Sequence, residues 1–212
     1  MNAILPIFPL QIVVFPGENL NLHIFEPRYK QLIQDIETAD ATFGVPPVIS
    51  GTQREVGTEV RLVKIAHTYE DGRMDIRCKG LGPYRALKTI SEVDNKLYAG
   101  SEIERLDFDL EGNQFNNRKI LQMLQLLYRE QNIRKKLPKI TVQGLSFIIG
   151  HQIGLKLEQE YELLNMPLEK DRQNYIIQHL KVFIPNATEL IELRKRALLN
   201  GQFRKLRNPP KK

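Results

Sequence analysis

Few side chains in this 212-residue sequence combine a reactive type with a useful spacing. The four histidines, His23, His67, His151 and His179, would act as general bases or metal ligands if a carboxylate or cysteine stood at ligand spacing beside them. None does, so they read as ordinary surface or partly buried side chains. Cys78 is the one thiol and reads as a small buried hydrophobe on a strand. Ser146 lies in an apolar helical run, where a hydroxyl bonds back to the preceding turn rather than serving as a nucleophile. Gly80-Leu81-Gly82 begins like a dinucleotide fingerprint, but Pro83-Tyr84-Arg85 follow where a third glycine belongs. With strand patterns on both flanks, a turn entering a strand is expected there. No phosphate loop, H-E-x-x-H helix or G-x-S-x-G elbow is present. The sequence therefore offers no catalytic residue, no cofactor site and no metal site.

The densest unusual cluster is Glu26-Pro27-Arg28-Tyr29. Read physically, it is a structural corner: a Glu26–Arg28 ion pair, Pro27 at the first position of a helix, and Tyr29 turned into the core. The elements around it follow from periodicity. Leu20, Leu22 and Ile24 alternate with polar residues as in a half-buried strand, and Tyr29, Leu32, Ile33 and Ile36 then fall at helical spacing. "TFGVPPVI" is a further extended piece. Asp71-Gly72, between two β-rich runs, is the strongest hairpin signal in the chain. Two more strand runs lie around "YRALKTI" and "KLYAGSEIERLDF". Short strands with turns between them predict a barrel, because closure removes exposed edges.

After Phe108 the period becomes helical. Ile120, Leu121, Leu124, Leu127 and Tyr128 mark one helix; Leu145, Ile148, Ile149 and Ile153 a second; Tyr161, Leu163 and Leu164 a third. A fourth spans about Leu168 to Ile184, with Pro185 behind it and Asn186 placed to cap a further one. Asn186-Ala187-Thr188 also matches a glycosylation sequon, a coincidence with capping in a reducing compartment. The expected fold class is α+β: a β-barrel subdomain over 1–110 with one short helix, then a helical bundle over 111–212 with a basic tail.

Net charge is +6, but eight of the 31 basic residues lie from Arg194 onward with no acid among them, leaving 23 basic against 25 acidic before that point. Arg194, Lys195, Arg196, Arg204, Lys205 and Arg207 are the candidate polyanion contacts. A near-neutral remainder ranks nucleic acid below protein as a partner. One cysteine, no basic leader and no apolar run near the ~20 residues of a spanning helix predict a cytoplasmic protein without a membrane segment. Self-association is not legible.

The run "LPIFPLQIVVFPGENLNLHIFEPRYKQLI", Leu5 to Ile33, resembles the opening of the N-terminal domain of Lon ATP-dependent proteases: an L-P-L-F-P-L strand, a V-V-hydrophobic-P-G-E turn, an L-x-I-F-E-P-R-Y corner and a helix, in that order. Gly57-Thr58, Asp71-Gly72-Arg73, and Gly80 with Arg85 resemble later landmarks. The resemblance implies a PUA-like β-barrel followed by a helical bundle, engaged in binding protein substrates. It implies a stand-alone, non-enzymatic module without ATPase or protease parts, an adaptor that takes unfolded or exposed protein segments and passes them to a protease. The meeting place of barrel and bundle is the expected binding region, with Phe25, Tyr29 and Tyr84 as candidate wall residues. RNA binding through the barrel and the basic tail is the alternative.

Overall fold

The computed structural model describes residues 4–91 and 93–185. The strands come first: β1 Ile4–Pro6, β2 Asn19–Ile24, β3 Thr42–Val45, β4 Val48–Ile49, β5 Thr52–Gln53, β6 Val56–Thr68, β7 Met74–Ile90 and β8 Gly100–Arg105. Helix α1, Pro27–Ala39, lies between β2 and β3. Then come α2 Gln114–Glu130, α3 Leu145–Ile149, a 3-10 turn over Gly150–Gln152 and α4 Leu157–Asn165. A fifth helix, α5, covers 169–185.

The main sheet has the order β1-β8-β7-β6-β3, with β2 also on β7. β7, 17 residues long, organises it. Along one edge β6 pairs with Met74 through Arg85. Along the other, β2 pairs with Met74–Lys79 and β8 with Tyr84–Ile90. The two ends of the sheet then meet: Ile7, just past β1, bridges Gly44 of β3, and the Phe8 N–H donates to the Gly44 carbonyl at 2.8 Å. That contact satisfies backbone groups that an open sheet would expose. Tyr84 fills the closure point, its hydroxyl wedged where side chains at Gly44 or Gly57 would stand.

"GLGPYR" is not a turn, contrary to the expectation from its glycines. β7 continues through it without a break, its register against β6 shifting at Leu81, and what changes on the other edge is the neighbour: β2 leaves and β8 arrives. The glycines answer close approaches, since a Cβ at Gly80 would collide with the Phe15 carbonyl and one at Gly82 with the Phe108 ring. The Asp71-Gly72 hairpin forms as its turn chemistry requires, with Gly72 at φ 76° and Thr68 opposite Met74.

Two apolar cores result. In the sheet lobe α1 lays Tyr29, Leu32, Ile33 and Ile36 onto Phe43, Val60, Ile76 and Cys78. In the helical lobe Ile120, Leu124, Leu145, Ile149, Leu163, Ile176 and Leu180 pack together, and Val13, Phe15 and Val56 from the sheet lobe join them. The second predicted helix is cut short: α3 ends at Ile149 and the chain tightens through Gly150 to Gln152. Gly154, at φ 74°, lies against the Phe183 ring and redirects the chain toward α4.

The helical lobe also buries a polar network. Arg172 and Glu169, both on α5, form an ion pair at 2.9 Å with essentially no exposure. Arg172 further donates to the carbonyls of Met166, Pro167 and Asp109 and to the Ser146 hydroxyl. The Ser146 hydroxyl donates to Glu169 at 2.5 Å, not back to its own helix. Gln173 and Asn117 bond to each other and to the backbone of Asn113, Ile140 and Val142.

Candidate functional site

The turn Phe15-Pro16-Gly17-Glu18 builds the junction of the lobes. Gly17 has φ 80°, a conformation costly for residues with a Cβ, and its N–H donates to the Gly80 carbonyl at 2.9 Å while the Gly80 N–H donates to the Glu18 carbonyl at 2.9 Å. The turn is thus laced onto the middle of β7. The Glu18 carboxylate accepts from the Phe15 N–H at 2.9 Å. With its backbone fixed to the sheet, Phe15 sends its ring into the helical core, 5.4 Å from the Phe147 ring and 4.6 Å from the His151 ring. Gly150 leaves the room, because a Cβ there would enter the Phe15 ring.

His151 clasps the same junction ionically. Its Nε2 lies 3.2 Å from Glu18 of the sheet lobe and its Nδ1 2.8 Å from Glu160 on α4. Two carboxylates at two ring nitrogens require both to carry protons. Burial works against that charge, but the hydrogen bonds to Glu160 and Glu18 and their charges outweigh it, and the pKa is pushed up to about 9. Sequence spacing left the histidines without carboxylates, and folding supplies them: His23 similarly pairs with Asp75 at 2.7 Å.

Beside the clasp a groove of about 980 Å³ opens between the lobes. One wall is the turn Pro16–Asn19 with Lys79, Gly80 and Leu81 of β7; the other is Phe108, Leu110, Phe147, Ile148, Gln152 and Lys135. It runs into a second hollow of about 430 Å³ beneath residues 135–142, sharing Lys135, Ile148 and Gln152. Its floor is apolar, with Leu81 and Ile148 each more than a third exposed. His151 is tied at both nitrogens, Ser146 is buried against Glu169, and Cys78 is buried with its thiol pushed up to about 12 by desolvation.

The ATP-dependent protease La (LON) substrate-binding domain is the family whose model matches this sequence, over residues 4–182. The chain belongs to the Lon substrate-binding domain family. A crystal structure of a Lon N-terminal domain protein from Xanthomonas campestris is similar with a TM-score of 0.62 and 23% identity, covering 83% of this chain and 98% of that one. The N-terminal domain of Mycobacterium avium complex Lon protease is similar with a TM-score of 0.63 and 12% identity, covering 85% and 99%. At those identities the likeness speaks for the fold. Protein cereblon of Xenopus tropicalis is 28% identical over 95 residues, 42% of this chain. The chain spans 21% of that relative's length. The matching family is a substrate-binding domain, not a catalytic one.

Within this Lon-type domain the expected corner forms in part. Pro27 is the first residue of α1, and Arg28 pairs with Glu26 at 2.7 Å on the surface. Glu26 occupies the cap position, but its side chain turns to Arg28 and makes no cap bond. The candidate wall residues do not meet. Tyr29 is buried with its ring 3.9 Å from that of Phe8, and Tyr84 is wholly buried at the sheet closure. Phe25 is 61% exposed at the end of β2. None of the three lines the groove, because Tyr29 and Tyr84 are consumed by the sheet core and Phe25 stands outside it. Arg194, Lys195, Arg196, Arg204, Lys205 and Arg207 lie outside the described residues. The groove residues missed from sequence left one signal: Leu145–Ile149 is apolar on all sides except Ser146, more than one core can cover, and Ile148 is the residue left in the groove. Among the described residues no helix is long and apolar enough to cross a membrane.

Proposed function

We propose that this protein is a non-enzymatic binding module that takes unfolded or exposed apolar segments of other cytoplasmic proteins into the groove between its lobes and presents them to a protease. One observation carries the reading: an apolar-floored groove at the lobe junction in a domain of the substrate-binding family. Its two adjoining hollows, of about 980 and 430 Å³, offer room for a peptide, and apolar side chains with a few amide groups tolerate many client sequences. The experiment is binding of a permanently unfolded, fluorescently labelled polypeptide to the full chain, with Ile148→Asp and Leu81→Asp as groove variants. Micromolar binding to the parent and its loss in both variants is expected. Failure to bind, or equal binding by the variants, rejects the reading.

The alternative, RNA binding by the PUA-like sheet lobe and the basic tail, is favoured by the eight cations from Arg194 onward. It requires affinity that falls steeply with salt and disappears when residues 194–212 are deleted.

A further inference from the structure

Resting on the peptide-binding reading, we infer that the groove selects a particular class of client: extended segments in which acidic residues flank apolar anchors. From Gln131 to Leu157 the sequence has five Lys or Arg and no Asp or Glu, a bias hidden by the near-neutral total. Folding brings this stretch to the groove. Lys135 lines both hollows, Lys136 and Lys139 line the smaller one, and Lys79 of β7 joins Lys135 in lining the larger one. All four are exposed, and among the described residues none of their ammonium groups has a hydrogen-bond or ion-pair partner.

The one carboxylate in the lining is spoken for. Glu18 is held by His151 and by the Phe15 N–H, so it does not neutralise the rim. The floor between the lysines is aliphatic: Leu81 and Ile148, with Leu137 and Val142 further along. An occupant complementary to both features carries carboxylates at its edges and apolar side chains at its centre. Nucleic acid fits worse, because its bases need exposed aromatic faces. Here Phe147 is buried and Phe108 is half-buried against Gly82. The chain's own end, with eight cations and no acid from Arg194 onward, carries the wrong sign to fill the groove.

The test is fluorescence anisotropy of the full chain with four short labelled peptides and labelled oligouridylate. The first peptide alternates Leu or Phe with Asp or Glu; the second replaces the acids by Asn and Gln, the third by Lys; the fourth keeps the acids and replaces the apolar residues by Ser. Rim ion pairs in water are each worth about two- to threefold, so the acidic-apolar peptide is expected to bind about 10-fold tighter than the amide one at low salt. That advantage should collapse near ~1 M salt, where screening acts within about 3 Å. Combined Lys79→Glu, Lys135→Glu and Lys136→Glu should move the preference to the Lys peptide, and Ile148→Asp should weaken every apolar peptide. Equal binding of acidic and amide peptides, with both lost in Ile148→Asp, overturns the charge selection and leaves the groove reading standing. If no peptide binds, or if Ile148→Asp changes nothing, the binding reading fails and the selection falls with it. Binding of the Ser-substituted acidic peptide or oligouridylate as tight as that of the acidic-apolar peptide overturns the proposal by making the groove a plain polyanion site.

Discussion

The sheet lobe and the helical lobe satisfy their buried backbone by different means. In the sheet lobe β7 is flanked by ladders on both edges, and the Ile7–Gly44 bridge joins the sheet's ends, so the strands serve one another and the core between them is almost wholly apolar. Its Glu59–Arg105 ion pair has a buried carboxylate but an outer guanidinium, with Arg105 70% exposed. The helical lobe has short helices, down to the five residues of α3, and the segments between them, though exposed or half-buried along most of their length, turn several carbonyls inward. Their carbonyls at Asp109, Ile140, Val142, Met166 and Pro167 find donors in the buried side chains of Arg172 and Asn117. Where secondary structure is short, buried polar side chains take over the work of the ladder.

The comparison is broken most directly at Arg172. Arg172→Ala strands a buried Glu169 carboxylate and several carbonyls, and should lower unfolding stability by about 3–5 kcal/mol in urea titrations. A loss below ~1 kcal/mol would mean that the helical lobe does not depend on its polar network. Next is Phe15, whose backbone belongs to the sheet and whose ring belongs to the helices. Phe15→Ala should cost about 3 kcal/mol and uncouple the lobes, so that sheet and helix signals no longer melt together. Coincident melting in that variant would assign the coupling elsewhere.

A smaller effect sharpens the junction further. The charged form of His151 is favoured in the fold, so its stabilisation is complete below the ordinary histidine pKa of about 6.5 and lost as pH rises through about 9. Discounted for its partial exposure, this amounts to about 1 kcal/mol, and His151→Gln should flatten the stability profile between those limits. The smallest effect is expected at the Glu26–Arg28 corner. Both side chains are more than a third exposed, so Arg28→Ala should change stability by about 0.5 kcal/mol or less in the same titration.

Local rules made much of the fold legible. Asp71-Gly72 specified the hairpin, Pro27 and the Tyr29–Ile36 spacing specified α1, and the apolar period specified α2. The reading failed where a residue's role depends on what approaches it. The glycines of "GLGPYR" looked like a turn because sequence shows their conformational freedom but not the Phe15 carbonyl and Phe108 ring that demand their smallness. Tyr29, read both as a core residue and as a candidate groove wall, and Tyr84 lie in the sheet interior, because an aromatic's type does not say which side it faces. The histidines looked unpartnered because Glu18 and His151 are 133 positions apart.

By itself the sequence determined the order of strands and helices, the hairpin, the first corner and the membership signalled by Leu5–Ile33, since each rests on backbone preferences and periodicities that act within a few residues. Only the tertiary structure decided which turn joins the lobes, where the groove opens, and that Lys79 and Lys135 line one hollow with Leu81 and Ile148. Those are meetings of distant segments, fixed by the packing of Phe15 and the continuity of β7, and no local preference encodes them.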